Sequence, residues 1–205
     1  MVLATSAAVS DWICVYRENL RLERIFKPLV ISLLIGTLLL LDSSQSESKY
    51  LIVVGLCFGL LGDIFLMGPK VNFIGGLASF LVGHVFYIWA FALEFKSIAA
   101  FLVGLVISVV GLAAVGRPIV RTIVKREKKL VVPVIVYELA VSSMFAVALS
   151  TRSLASGIGS FLFLISDGIL GYDRFVKKLH YGRLVIIVTY HLGQLGIVLS
   201  AFTVR

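Results

Sequence analysis

The feature that most constrains this chain is a series of apolar runs, each long enough to cross a bilayer and separated by short loops rich in lysine and arginine. Crossing the hydrocarbon as a helix takes about 20 mostly apolar residues, with roughly 17 to 25 tolerated. Seven runs meet this, at approximately 25–41, 50–67, 73–93, 98–115, 130–149, 154–171 and 184–203. An eighth, 2–16, is shorter and carries Asp11. Arg17, Arg21 and Arg24 follow its apolar stretch instead of preceding it, so it reads as a first helix and not as a signal peptide. The expected fold is all-α: a polytopic membrane helix bundle of eight transmembrane helices, forming one integral-membrane domain over residues 1–205.

Composition closes off the main alternatives. With 60% hydrophobic and only 15% charged residues, the chain has too little polar surface to cover a soluble core. A net charge of +8 is compatible with nucleic-acid binding, but the basic residues lie between apolar segments and so read as a topology signal. Arg17, Arg21, Arg24 and Lys27 fall in loop 1–2, and Lys70 in loop 3–4. Arg117, Arg121, Lys125, Arg126, Lys128 and Lys129 fall in loop 5–6, and Arg174, Lys177, Lys178 and Arg183 in loop 7–8. Only Lys49, Lys96, Arg152 and Arg205 lie on the other side, so the positive-inside rule puts the basic loops in the cytoplasm and both termini outside. The run "KREKK" (125–129) then reads as a cytoplasmic turn attracted to anionic lipid. Cys14 and Cys57 both lie in apolar segments, which argues against a disulfide framework or a zinc site.

Against this background the buried-looking ionisable residues stand out. Asp63, His84, Glu138, Asp167 and His191 lie in five different membrane helices, with Tyr87, Tyr137, Tyr190 and Gln194 beside them. Each ionisable group costs roughly 2.5–3.5 kcal/mol to insert and usually faces the protein interior. At about 1.5 Å per residue, both aspartates lie roughly 6 Å from the cytoplasmic ends of their helices. Glu138, His191 and His84 lie about 12, 10 and 16 Å in, so all five can meet in the inner half of the bilayer. Gly55, Gly59 and Asp63 form an i, i+4, i+8 row suited to close packing, and Ser156, Ser160, Asp167 and Gly171 share a face. Ordinary packing accounts for the small-residue stripes, and a structural role stays open for His84 and Glu138.

The two halves also resemble each other. Pro28 opens helix 2 and Pro133 opens helix 6, each after a basic loop, and each is followed at nearly equal spacing by Asp63 or Asp167 and then by His84 or His191. Two four-helix units would run parallel, as a 4+4 repeat about an axis along the membrane normal. Chance spacing is the competing explanation.

The segments "GLCFGLLGDIFLM" (55–67), "FIGGLASFLVGHVFYIWAF" (73–91), "VPVIVYELAVSSMFAVAL" (132–149), "GSFLFLISDGIL" (159–170) and "TYHLGQLGIVLS" (189–200) together resemble the YhhN-like family of membrane proteins, the lysoplasmalogenases. "KPL" (27–29) fits that family's second helix, whereas Gly59 stands where many relatives carry serine. The resemblance implies hydrolysis of the vinyl ether bond of lysoplasmalogens to a fatty aldehyde and glycerophosphoethanolamine or glycerophosphocholine, with Asp63 and Asp167 as the essential carboxylates and no cofactor. The chemistry suits such a pair: protonation of carbon gives an oxocarbenium ion, and two carboxyls in different environments can supply a proton and stabilise the cation. Which aspartate does which is left open. His84, Tyr87, Tyr137, Glu138, Tyr190, His191 and Gln194 are expected to complete the substrate site, and Lys27 to hold the lipid phosphate. Two alternatives remain. One is a metal-dependent hydrolase with Asp63, His84, Asp167 and His191 as zinc ligands; the other is a proton-coupled transporter using the same carboxylates. Discriminating tests are loss of activity on chelation and solute flux without hydrolysis.

Overall fold

A computed structural model describes residues 1–41, 46–67 and 71–203. Lys70 and Arg205, which enter the charge bias, lie outside the described residues, as do positions 42–45 of the polar loop. The described residues are all-α. Helices α1 (Val2–Tyr16), α2 (Leu20–Leu41), α3 (Glu47–Leu66), α4 (Phe73–Leu93) and α5 (Ile98–Gly111) follow in order. A π turn, Leu112–Gly116, joins α5 without a break to α6 (Arg117–Arg126), and α7 (Val131–Ser150), α8 (Leu154–Phe175) and α9 (Gly182–Thr203) complete the chain. Because α5 and α6 form one continuous rod over Ile98–Arg126, the described residues form eight rods, in the order that the apolar runs predict.

Six of the rods are long and apolar enough to cross a membrane: Glu47–Leu66, Phe73–Leu93, Ile98–Arg126, Lys128–Ser150, Leu154–Phe175 and Gly182–Thr203. The N-terminal α1 is apolar but shorter. Several starts are fixed locally by side chains that accept an otherwise orphaned backbone N–H. Ser46 accepts from Lys49, Asn72 from Gly75, Ser97 from Ala100 and Ser153 from Ser156.

Three boundaries correct the sequence reading. Pro28 does not open α2 but lies inside it, after two turns that begin at Leu20. A proline there cannot donate to the carbonyl four residues earlier. Its own carbonyl accepts from the Ser32 hydroxyl at 2.9 Å. Pro133 does sit in the first turn of α7. The fifth segment runs beyond residue 115 through the π turn, because Ile119 and Ile123 give α6 an apolar face that packs with Leu130, Val134 and Phe175. Finally, α8 continues to Phe175, which puts Asp167 about 12 Å from its end where roughly 6 Å was expected.

Packing is by neighbouring pairs. Helix α1 packs on α2, α3 on α4, α5 on α7 and α8 on α9, while α4 meets α7 and α2 meets α9 across the centre. The α8–α9 pair is held close by glycines. A Cβ on Gly159 would stand 2.7 Å from the Ile197 nitrogen and 2.9 Å from the Gly193 carbonyl oxygen. On α3, a Cβ on Gly55 would meet the Tyr87 ring of α4, 2.6 Å from Cδ1. The predicted stripe Gly55–Gly59–Asp63 is therefore a packing face that ends at the carboxylate.

Candidate functional site

A cavity of about 100 Å³ lies where the ends of α3 and α8 approach the first turns of α2, α4, α7 and α9. Its wall includes Lys27, Asp63, Phe80, Tyr137, Glu138, Ser166, Asp167, Arg174 and Tyr190. Both aspartates thus face one space although they come from different halves of the chain. Asp63 is 1% exposed and Asp167 8%.

Their surroundings differ. Lys27 reaches Asp63 in an ion pair, Nζ to Oδ1 at 2.9 Å. The other oxygen of Asp63 accepts from the Tyr190 hydroxyl at 2.8 Å. Behind it, Gln194 Nε2 donates to the Tyr190 oxygen at 3.5 Å, and the Tyr87 hydroxyl donates to Gln194 Oε1 at 2.8 Å. A cation and a relay of donors therefore converge on Asp63, as a buried carboxylate anion requires.

Asp167 has a sparser shell. Its Oδ2 accepts from the Tyr137 hydroxyl at 2.7 Å. Among the described residues no lysine or arginine lies within ion-pair distance of it. His84 Nε2 stands 3.9 Å from the same oxygen. On the other side of that ring, Nδ1 lies 2.6 Å from the Phe80 carbonyl, which can only accept. Nδ1 therefore carries a proton, and Nε2 faces Asp167 with no hydrogen-bond partner of its own among the described residues. Phe163 and Tyr137 pack edge-on to the imidazole at centroid distances of 4.8 and 5.3 Å and fix its plane.

The expected site residues fall into three groups. Asp63, Asp167, Lys27, Tyr137, Glu138 and Tyr190 line the cavity. His84, Tyr87 and Gln194 stand directly behind it and reach it through the contacts above. His191 is elsewhere: it faces α1, accepts a hydrogen bond from Trp12 Nε1 at 3.1 Å, and borders a small separate pocket with Ala8 and Val30. The reason is helical phase, since Tyr190 and Gln194 are i, i+4 and share a face that adjacent His191 cannot join. The zinc reading needed all four of Asp63, His84, Asp167 and His191 together. Among the described residues no group of three or more histidine, cysteine or acidic side chains is placed to hold a metal ion.

Two polar lining residues, Ser166 and Arg174, lie outside the set that the sequence suggests. Ser166 precedes Asp167, and its hydroxyl donates to the Ile186 carbonyl of α9 at 2.9 Å. Arg174 was counted as a loop charge, but the longer α8 carries it on the cavity wall. The i, i+4, i+7 spacing of Asp167, Gly171 and Arg174 was the available signal. Glu138 sits at a junction, bordering both this cavity and a wider apolar groove of about 300 Å³ between α5, the π turn, α7 and α8.

Fold and site together define an all-α bundle of multi-pass membrane character with two carboxylates facing one cavity. The YhhN family model matches residues 22–201, and the chain belongs to the YhhN family. It is similar to lysoplasmalogenase TMEM86B of Homo sapiens, 33% identical over 176 residues, covering 85% of this chain and 73% of that protein. The corresponding protein of Mus musculus is 34% identical over 155 residues, covering 76% of this chain and 65% of its own length. That of Rattus norvegicus is 32% identical over 152 residues, covering 74% and 61%. No solved structure matches.

Proposed function

We propose that this protein hydrolyses the vinyl ether bond of lysoplasmalogens, with Asp167 as the proton donor and Asp63 as the anion. The observation that carries the assignment is the asymmetry of the two carboxylates around one cavity. Asp63 is tied to the Lys27 ammonium at 2.9 Å, whereas Asp167 meets a tyrosine donor and a histidine ring nitrogen, with no lysine or arginine beside it among the described residues.

In this mechanism the Asp167 carboxyl gives its proton to the outer carbon of the vinyl ether, and the remaining carbon and oxygen share the positive charge of an oxocarbenium ion. Asp63 stabilises that charge and takes a proton from the water that attacks the cationic carbon. The hemiacetal formed then collapses. Its hydroxyl proton passes to Asp167, the carbon–oxygen bond to glycerol breaks, and Asp63 returns its proton to the leaving oxygen. Both carboxyls regain their starting states, and one water is consumed. Tyr137 and Tyr190 hold the two carboxyls in register, and Gln194 with Tyr87 supports Tyr190. The fatty chain leaves the cavity past Glu138 along the groove lined by Leu112, Val115 and Leu164.

The bundle, in the same reading, is a 4+4 parallel repeat with eight membrane helices, cytoplasmic basic loops and both termini outside. The equal pairing of α1–α2 with α5–α7 and of α3–α4 with α8–α9 supports it. If Pro28 and Pro133 are equivalent positions, Val132 stands where Lys27 does, which accounts for the missing cation at Asp167.

The test is aldehyde release from a lysoplasmenyl lipid by the detergent-purified protein and by the Asp63→Asn and Asp167→Asn variants. Wild-type turnover lost in both variants is expected. Turnover that survives either substitution would overturn the two-carboxylate mechanism.

A further inference from the structure

We propose that Arg174 is the anchor for the lipid phosphate and makes the site select phosphate-bearing single-chain lipids over their headgroup-free counterparts. This rests on reading the cavity as a lysolipid site, and it replaces Lys27 in the role that the sequence suggested. Lys27 is committed to Asp63 at 2.9 Å, so its charge is already neutralised.

Arg174 is the other cation on the cavity wall. It lies seven residues beyond Asp167, on the same face of α8 and about 10 Å further along the axis toward the basic end of the bundle. Gly171, between them on that face, also lines the cavity. The guanidinium is held in place by aromatic rings, with its Cζ 3.9 Å from the centroid of Phe73 and 5.4 Å from that of Phe175. Ring contact of this kind uses none of the N–H groups in an ion pair, and a guanidinium can offer two of them to two phosphate oxygens at once.

Its neighbouring acid does not quench it. The Asp173 carboxylate is engaged by Lys178 Nζ at 2.7 Å and by the Leu179 backbone N–H at 2.8 Å. Among the described residues no carboxylate pairs with Arg174. A planar, pre-positioned and uncompensated cation at the mouth of a cavity that holds two acids fits one phosphodiester anion at the end of a short polar linker.

The test measures binding apart from catalysis. A saturated 1-O-alkyl lysophosphoethanolamine, which has no vinyl ether to cleave, is titrated calorimetrically into the full-length protein in detergent, beside the matching 1-O-alkylglycerol. The wild type is expected to prefer the phospholipid by roughly tenfold or more, and Arg174→Gln to erase that preference without weakening alkylglycerol binding. Arg174→Lys, which keeps charge but not the fork, should fall between. Retained alkylglycerol affinity certifies the fold of each variant. An unchanged preference in Arg174→Gln, or an equal loss for both ligands, overturns the proposal. A phosphate preference that depends on Arg174 in a protein that releases no aldehyde would sink the hydrolase reading and leave this one standing.

Discussion

At the residue scale, two identical side chains in one cavity are differentiated by what lies beside them. A buried ion pair broken on one side leaves an uncompensated charge, which costs about 3–5 kcal/mol. Lys27→Met should therefore lower the resistance of the protein to denaturation by that order, read from unfolding in detergent. Combining it with Asp63→Asn removes both charges and should recover most of the loss, with hydrolysis still absent. If the double variant is as unstable as the single, Asp63 is not the partner that Lys27 supports. Asp167→Asn keeps the shape and acceptance from Tyr137 but cannot give a proton, so kcat should fall roughly 100- to 10,000-fold, within the range for general acid catalysis, with little change in substrate binding. A fall confined to KM would argue for a binding role instead. The sequence displayed both aspartates but not their difference, because the difference comes from Lys27, and its partner lies 36 positions away in another helix.

At the element scale, small residues decide how closely the helices approach. Gly159 sits against the backbone of α9, which cannot rotate aside, whereas Gly55 sits against a side chain, the Tyr87 ring. Gly159→Ala should be destabilising by about 1–3 kcal/mol, the usual cost of overpacking. Gly55→Ala should act through function as well, since displacing Tyr87 disturbs its 2.8 Å bond to Gln194 and thereby the support of Tyr190. Thermal unfolding beside aldehyde release separates the two, and equal effects of both substitutions on both readouts would contradict it. Helix positions and their apolar lengths were legible because hydropathy reports them directly. Pro28 and the C-terminal turns of α8 were misjudged because hydropathy drops at charged residues while the helix continues. His191 was misassigned because proximity in sequence is no guide to facing on a helix.

At the scale of the whole molecule, the charge bias predicts an orientation that reporter fusions can read. A tag at residue 1 and one after residue 203 should both report the non-cytoplasmic side, and one within 125–129 the cytoplasm. Opposite signals from the two termini would mean an odd number of crossings and would remove α1 from the count. The π turn at Leu112–Gly116 has its own bearing on the rod it interrupts. Such a turn holds one residue more than the regular spiral, so it works as a phase adjuster for everything downstream. Were the same five residues wound as a regular spiral, the extra residue would instead carry α6 round by about 100°. Ile119 and Ile123 would leave Val134 and Phe175, and Pro118 and Thr122 would turn inward in their place. The heading of α6, and the apolar floor it lays beside Phe175 and Arg174, is thus kept by one turn wide enough to take in a surplus residue.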